Sequence, residues 1–210
     1  MPKAVSVIAP IKLHAYIIAY SDCKALLFSP QNAPPTMPLG LSALLQTISP
    51  RAPLFEAGTI STMTPTVARE LAMIIHRDHT DKAVQPYIAH CARVAAEISR
   101  VFGPEHPAVA VAWLHDVLET ASDAAAVEEW LRSYSITDDQ LSALRCLTRT
   151  SGESRAEHIN KARSHTWSVF IKRAEIADNT NPTRLSLLDK TLAQHLVEKY
   201  ASDLELLAPA

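Results

Sequence analysis

Pro107-Ala108-Val109-Ala110-Val111-Ala112-Trp113-Leu114-His115-Asp116-Val117-Leu118-Glu119-Thr120 is the stretch on which the fold turns. Proline suits the entry to a helix, where its missing N–H costs nothing. The run Val109–Leu114 is apolar nearly all round a 3.6-residue turn. A helix of that kind has no solvent face and belongs at the centre of its domain. The pattern predicts this helix over 108–120. Into its apolar setting the chain places His115 and Asp116 side by side, with Glu119 one turn on.

Outward from this centre the chain reads as helix after helix. Thr64 is a cap, Pro65 takes the first helical position, and Val67, Leu71, Ile74 and Ile75 form an apolar stripe. A second helix is expected from Tyr87 to about Phe102, with Ile88, Ala92, Ala95 and Ile98 on its inner face and Gly103-Pro104 as its stop. Further helices are predicted from about Asp123 to Ser133, from Thr137 (with Gln140 completing a capping box) to Leu147, from about Trp167 to Asn179, and in one long piece after Pro182. The last carries Leu185, Leu188, Leu192, Leu196 and Val197 on one stripe, with Leu204, Leu206 and Leu207 trailing. That stripe packs on the domain or serves a homodimer contact. With four glycines in the chain and no alternating runs after residue 63, the expected class is all-α.

The first 62 residues differ in composition. Their charged residues are Lys3, Lys12, Asp22, Lys24, Arg51 and Glu56, and eight of the 14 prolines fall among them. Runs such as Val5–Ala9 and Ala15–Tyr20 have strand character, but the prolines that follow deny a long regular element. The expected division is an N-terminal extension over 1–62 and a helical domain over 63–210, with an upstream start codon one origin for the extension.

Composition narrows the function. The 210 residues are 48% hydrophobic and 20% charged, with a net charge of −2. This is enough apolar surface for a core, and the balance gives no support to a nucleic-acid coat or an anionic-membrane binder. Cys23, Cys91 and Cys146 are widely spaced and odd in number, which argues against a disulfide framework or a cysteine zinc site. No secretory signal or spanning segment is visible, so the expected location is the cytoplasm.

Histidines and carboxylates on three separate helices carry the chemistry: His90 on one, His115, Asp116 and Glu119 on the second, and Glu175 and Asp178 on the third. Imidazole nitrogen with carboxylate oxygen suits Mn²⁺, Fe²⁺ or Zn²⁺. Each residue has a plainer account when taken singly: a satisfied core histidine for His90, a salt-bridged helix face for Glu175 and Asp178 beside Lys172 and Arg173. Their combination favours a metal centre, with His90, His115 and Asp116 completed by Glu175 or Asp178. His76, His79, His106, His158, His165 and His195 are read as surface or packing residues.

Three signatures, Pro86-Tyr87-x-x-His90, Leu114-His115-Asp116-Val117-x-Glu119 and Lys172-x-Ala174-Glu175-x-x-x-Asn179, resemble those of the HD-domain metal-dependent phosphohydrolases. Within that superfamily they look most like the guanosine-tetraphosphate hydrolase domain of the RelA/SpoT enzymes, over about residues 64–200. The resemblance implies an HD helical bundle with Mn²⁺ as the foremost metal. It makes His90, His115 and Asp116 ligands and puts Glu175 in the place of the last one, normally an aspartate. Glu119 matches the first acid of a catalytic pair, and Thr120 stands where the second is expected. Lys82 and Asn179 match substrate contacts, Lys172 adds charge for phosphate, and Asp81 replaces an arginine. The implied reaction removes the 3′-pyrophosphate of a guanosine tetra- or pentaphosphate. A different nucleotide substrate, such as a nucleoside monophosphate, or a non-catalytic binding role are the alternatives.

Overall fold

A computed structural model describes residues 62–208, and all the regular elements among them are helices. The candidate strands near the N-terminus and the expected extension lie outside the described residues, apart from Thr62. The elements run α1 (Pro65–Ile75), α2 (Ile88–Phe102), α3 (Pro107–Trp113), α4 (Ala124–Arg132), α5 (Asp138–Leu147), α6 (Arg155–Arg163), α7 (Thr166–Asn179), α8 (Pro182–Leu185) and α9 (Lys190–Leu206).

Two helices organise the rest. Helix α3 is buried over all of Ala108–Ala112 and packs against α1, α2 and α5. Its alternating alanines let those neighbours approach closely, while Val109 and Val111 fill the core. Helix α7 touches α2, α5 and α6 and carries α8 and α9 beyond them. The main core draws Leu71, Val94, Ile98, Leu114, Leu131, Leu144 and Ile171 together, and a second cluster joins Ile159, Ile176, Leu196, Tyr200 and Leu207.

The start signals act as expected. Thr64 accepts from Val67 N at 3.3 Å, and Thr137 and Gln140 form a reciprocal capping box. Gln140 does more than cap. It is fully buried, and its amide donates to Met63 O at 2.9 Å and Pro107 O at 3.4 Å, tying the entries of α1 and α3 to α5.

Three expectations need correction. The central helix stops at Trp113 rather than running to Thr120. The His115 ring reaches back with Nδ1 2.8 Å from Ala112 O, the carbonyl that Asp116 N would otherwise take, and the next turns tighten to Leu114 N→Val111 O and Val117 N→Leu114 O. The segment after Pro182 is two helices, because Asp189 caps a new start by accepting from Thr191 N at 2.8 Å. On α9 Leu196 is buried while Val197 is exposed, so the stripe is narrower than expected. Helix α6 was not foreseen from apolar spacing, because it is polar apart from Ala156, Ile159 and Ala162. Its signal is the Ser154–Glu157 capping box, with Glu157 N→Ser154 Oγ 3.2 Å and Ser154 N→Glu157 Oε2 2.8 Å.

Replacing Gln140 with alanine orphans buried carbonyls, so Gln140→Ala should lower the unfolding free energy by about 2–3 kcal/mol. Urea unfolding with circular dichroism measures this, and a change below about 0.5 kcal/mol would remove Gln140 from that role.

Candidate metal centre

Helix α2 and the turn after α3 bring His90, His115 and Asp116 into one group, their ligand-type atoms all within 4.8 Å of one another. His90 and His115 are buried and their rings meet edge to face at 5.2 Å. His115 Nδ1 faces Ala112 O, so it carries a proton, and His90 Nδ1 lies 2.6 Å from Asp178 Oδ2 and 3.2 Å from Arg184 Nη1. The shorter contact, to the carboxylate, is the one that an Nδ1–H on His90 satisfies, which turns the Nε2 of each ring toward the other ligand-type atoms. His115 Nε2 lies 3.0 Å from Asp116 Oδ2 without hydrogen-bond alignment. Two acceptors at that distance need a cation between them, either a proton or a metal. His115 Nε2 and Asp116 Oδ2 would be among the atoms to hold a divalent metal there.

The electrostatics fit. Burial alone would depress the His115 pKa, but the Asp116 carboxylate outweighs it and raises the value to about 9. Burial would raise Asp116, but His115 and the Tyr87 hydroxyl, which donates to its Oδ2, hold it well below the usual carboxylate range. His90 is lowered to about 3 by burial and by His115.

The other expected residues occupy distinct places. Glu175 is ion-paired to Lys172 at 2.7 Å, both largely buried. Glu175 feels the charges of Asp116 and His115, and Lys172 those of Asp116 and Glu119, so this pair borders the centre. Asp178 stands behind His90, where it takes Arg93 Nε at 2.5 Å and a guanidinium nitrogen of Arg184. Glu119 is exposed at the cavity wall, its Oε2 accepting from Arg149 N at 3.3 Å. The Thr120 hydroxyl, also at the cavity, donates to Asp116 O at 3.1 Å. Asn179 donates to the Tyr200 hydroxyl at 3.1 Å.

Of these residues His90, Asp116, Glu119, Thr120, Lys172, Glu175 and Asn179 line a cavity of about 420 Å³. The sequence did not point to Arg149, Arg155, Arg184 and Lys199 on its wall, because they come from elements without a motif. His79 and His158 also line it, against the expectation that they only pack or face solvent, and His76 is buried with its Nδ1 3.0 Å from that of His79. His106 and His165 serve as helix caps.

No helix among the described residues is long and apolar enough to cross a membrane. The chain matches no protein-family model and no curated protein.

A metal ligand must be unprotonated, and metal-free His115 titrates near 9. Binding of Mn²⁺ at pH 7 should therefore release about one proton, and affinity should climb about tenfold per pH unit up to pH 9. Calorimetry in buffers of different ionisation enthalpy measures the proton count; a pH-independent affinity with no release would contradict the ligand role of His115.

Proposed function

We propose that the chain is a metal-dependent phosphohydrolase with an HD-type helical bundle, acting on a nucleotide that carries more than one phosphate group, with guanosine tetra- or pentaphosphate as the foremost candidate. The observation that carries this reading is one cavity lined both by His90 and Asp116, which group with the buried His115, and by several cations. Lys82 and Lys199 make no ion pair among the described residues, and the Lys199 ammonium, 4.8 Å over the Tyr200 ring, is lowered by burial and by the charges of Arg155 and Lys82, which outweigh the opposite pull of Asp203 and Glu175. Cations held close enough to repel one another suit a polyanion. The cavity volume also suits a nucleotide.

His90, His115 and Asp116 would hold the divalent metal, Mn²⁺ in first place, with Glu175 at the border of the set. When bound, the metal supplies Lewis acidity toward a phosphoryl oxygen and lowers the pKa of water. Glu119 is the group placed to accept a proton, being solvent-exposed at the cavity wall. Lys172 stays charged, because Glu175 offsets the burial that would lower it, and so contributes positive potential next to the reacting phosphate. Lys82 on the rim and Lys199 on α9 bind the remaining phosphates, and Asn179 positions substrate from the end of α7. The implied reaction breaks the bond between the ribose 3′ oxygen and the adjacent phosphorus and forms one from the water oxygen to that phosphorus; the 3′ oxygen leaves as a hydroxyl after gaining a proton, and pyrophosphate is released.

Thr120 favours a second reading within the same chemistry. Its hydroxyl is committed to Asp116 O, so no second acid stands beside Glu119 there. A phosphoester with a better leaving group needs less acid assistance, and another nucleotide is then the substrate.

Turnover with Mn²⁺ on guanosine tetraphosphate, beside nucleoside mono-, di- and triphosphates, decides between them. Pyrophosphate release from the tetraphosphate is the expected result, and Glu119→Gln should keep the metal while losing about 100-fold or more in kcat. Phosphate release from another nucleotide alone would discard the tetraphosphate assignment, and no turnover on any member would discard the enzyme.

A further inference from the structure

Behind His90 lies a charge network that no sequence motif marks. Asp178, in the last turn of α7, is 8% exposed, and both its oxygens are taken. Oδ2 faces His90 Nδ1 at 2.6 Å, and Arg93, one turn after His90 on α2, donates to Oδ1 from Nε at 2.5 Å and to Oδ2 from Nη2 at 3.2 Å. Arg184 of α8 adds a second cationic partner through Nη1, which also lies 3.2 Å from His90 Nδ1, and its Nη2 donates to Asp81 Oδ2 at 2.7 Å. Asp81 in turn shapes the loop before α2, its Oδ1 accepting from Ala83 N and Gln85 N, each at 2.9 Å. The same loop holds Lys82 at the cavity rim and turns through Val84 at a φ of 57°, a conformation that a β-branched residue adopts only when its surroundings impose it.

A carboxylate so placed has a definite effect on an imidazole. Accepting from Nδ1–H fixes the ring's tautomer and rotation and leaves Nε2 as the free lone pair. A buried carboxylate with only a histidine for company would also draw a second proton onto the ring. Two guanidinium groups on the same carboxylate remove that pull, so His90 is oriented and stays neutral. We propose that Asp178, held by Arg93 and Arg184, is a positioning residue that presents His90 Nε2 to the metal, and that the Arg184–Asp81 pair ties this ligand to the loop carrying Lys82. This rests on the metal-centre reading above and assigns Asp178 a place behind the ligand rather than in the coordination sphere.

Two readouts test it. Long-range ¹H–¹⁵N spectra of the metal-free full chain report the tautomer of His90, which should be Nδ1–H in the wild type and redistributed toward Nε2–H in Asp178→Asn. Titration with Co²⁺, followed by its visible absorption, should show an affinity loss of about 10–100-fold in Asp178→Asn, with the Co²⁺ band shape altered and partial recovery in Asp178→Glu. Arg93→Gln, at the exposed edge of the network, should give a smaller loss and serves if Asp178→Asn does not fold. An Nε2–H tautomer in the wild type, or wild-type Co²⁺ affinity in both variants, would overturn the positioning role. Failure of the wild type to bind Co²⁺ while His90 shows the Nδ1–H tautomer would overturn the metal reading and leave the clamp on His90 intact.

Discussion

The constraint on which the rest depends is the Asp116 carboxylate, a charge taken largely out of water at the end of the most apolar helix in the domain. An isolated ion there would be costly, and the structure meets the cost with the Tyr87 hydroxyl, the His115 ring and the nearby Lys172 ammonium. Each partner constrains an element. Tyr87 fixes the entry of α2, which in turn sets where His90 lies one turn on. The His115 ring takes the Ala112 carbonyl and thereby ends α3 at Trp113. Lys172 brings α7 against the same point. The helix ending and the gathering of His90, His115 and Asp116 have one cause.

Helix α7 then serves several groups from one element by its periodicity. Lys172, Glu175 and Asn179 follow at steps of three and four and line the cavity, which is the spacing that shares a helix face. Asp178 is displaced from that row and reaches α2 and α8 instead. Most buried charges in this region therefore have opposite charges beside them: Glu175 with Lys172, Asp178 with Arg93 and Arg184, Asp203 with Arg155. Half-buried Lys199 departs from this pattern by making no ion pair among the described residues.

Much of this was legible in the sequence, and what was not has physical reasons. The caps at Thr64 and Thr137 and the core helix after Pro107 could be read because caps and apolar runs are local signals. His90, His115 and Asp116 could be singled out because ionisable residues in apolar helices need explaining. The end of α3 was hidden because it depends on a side chain competing with the backbone, which periodicity does not register. Helix α6 was hidden because its stability comes from a capping box and from tertiary contacts through Ile159 rather than from an amphipathic stripe. Arg184 and Lys199 could not be assigned to the cavity, since surface-type residues far along the chain acquire their place only when α8 and α9 fold back over α7. For Asp178 helical spacing alone does not separate a place beside His115 and Asp116 from the place it takes against His90, Arg93 and Arg184.

The measurement that tests the central claim most directly is anomalous diffraction at the manganese edge from crystals equilibrated with Mn²⁺. The account predicts one strong peak at about 2.0–2.2 Å from His90 Nε2, His115 Nε2 and an Asp116 oxygen. A protein that binds no Mn²⁺ there, with His115 Nε2 still facing Asp116 through a proton, would contradict it.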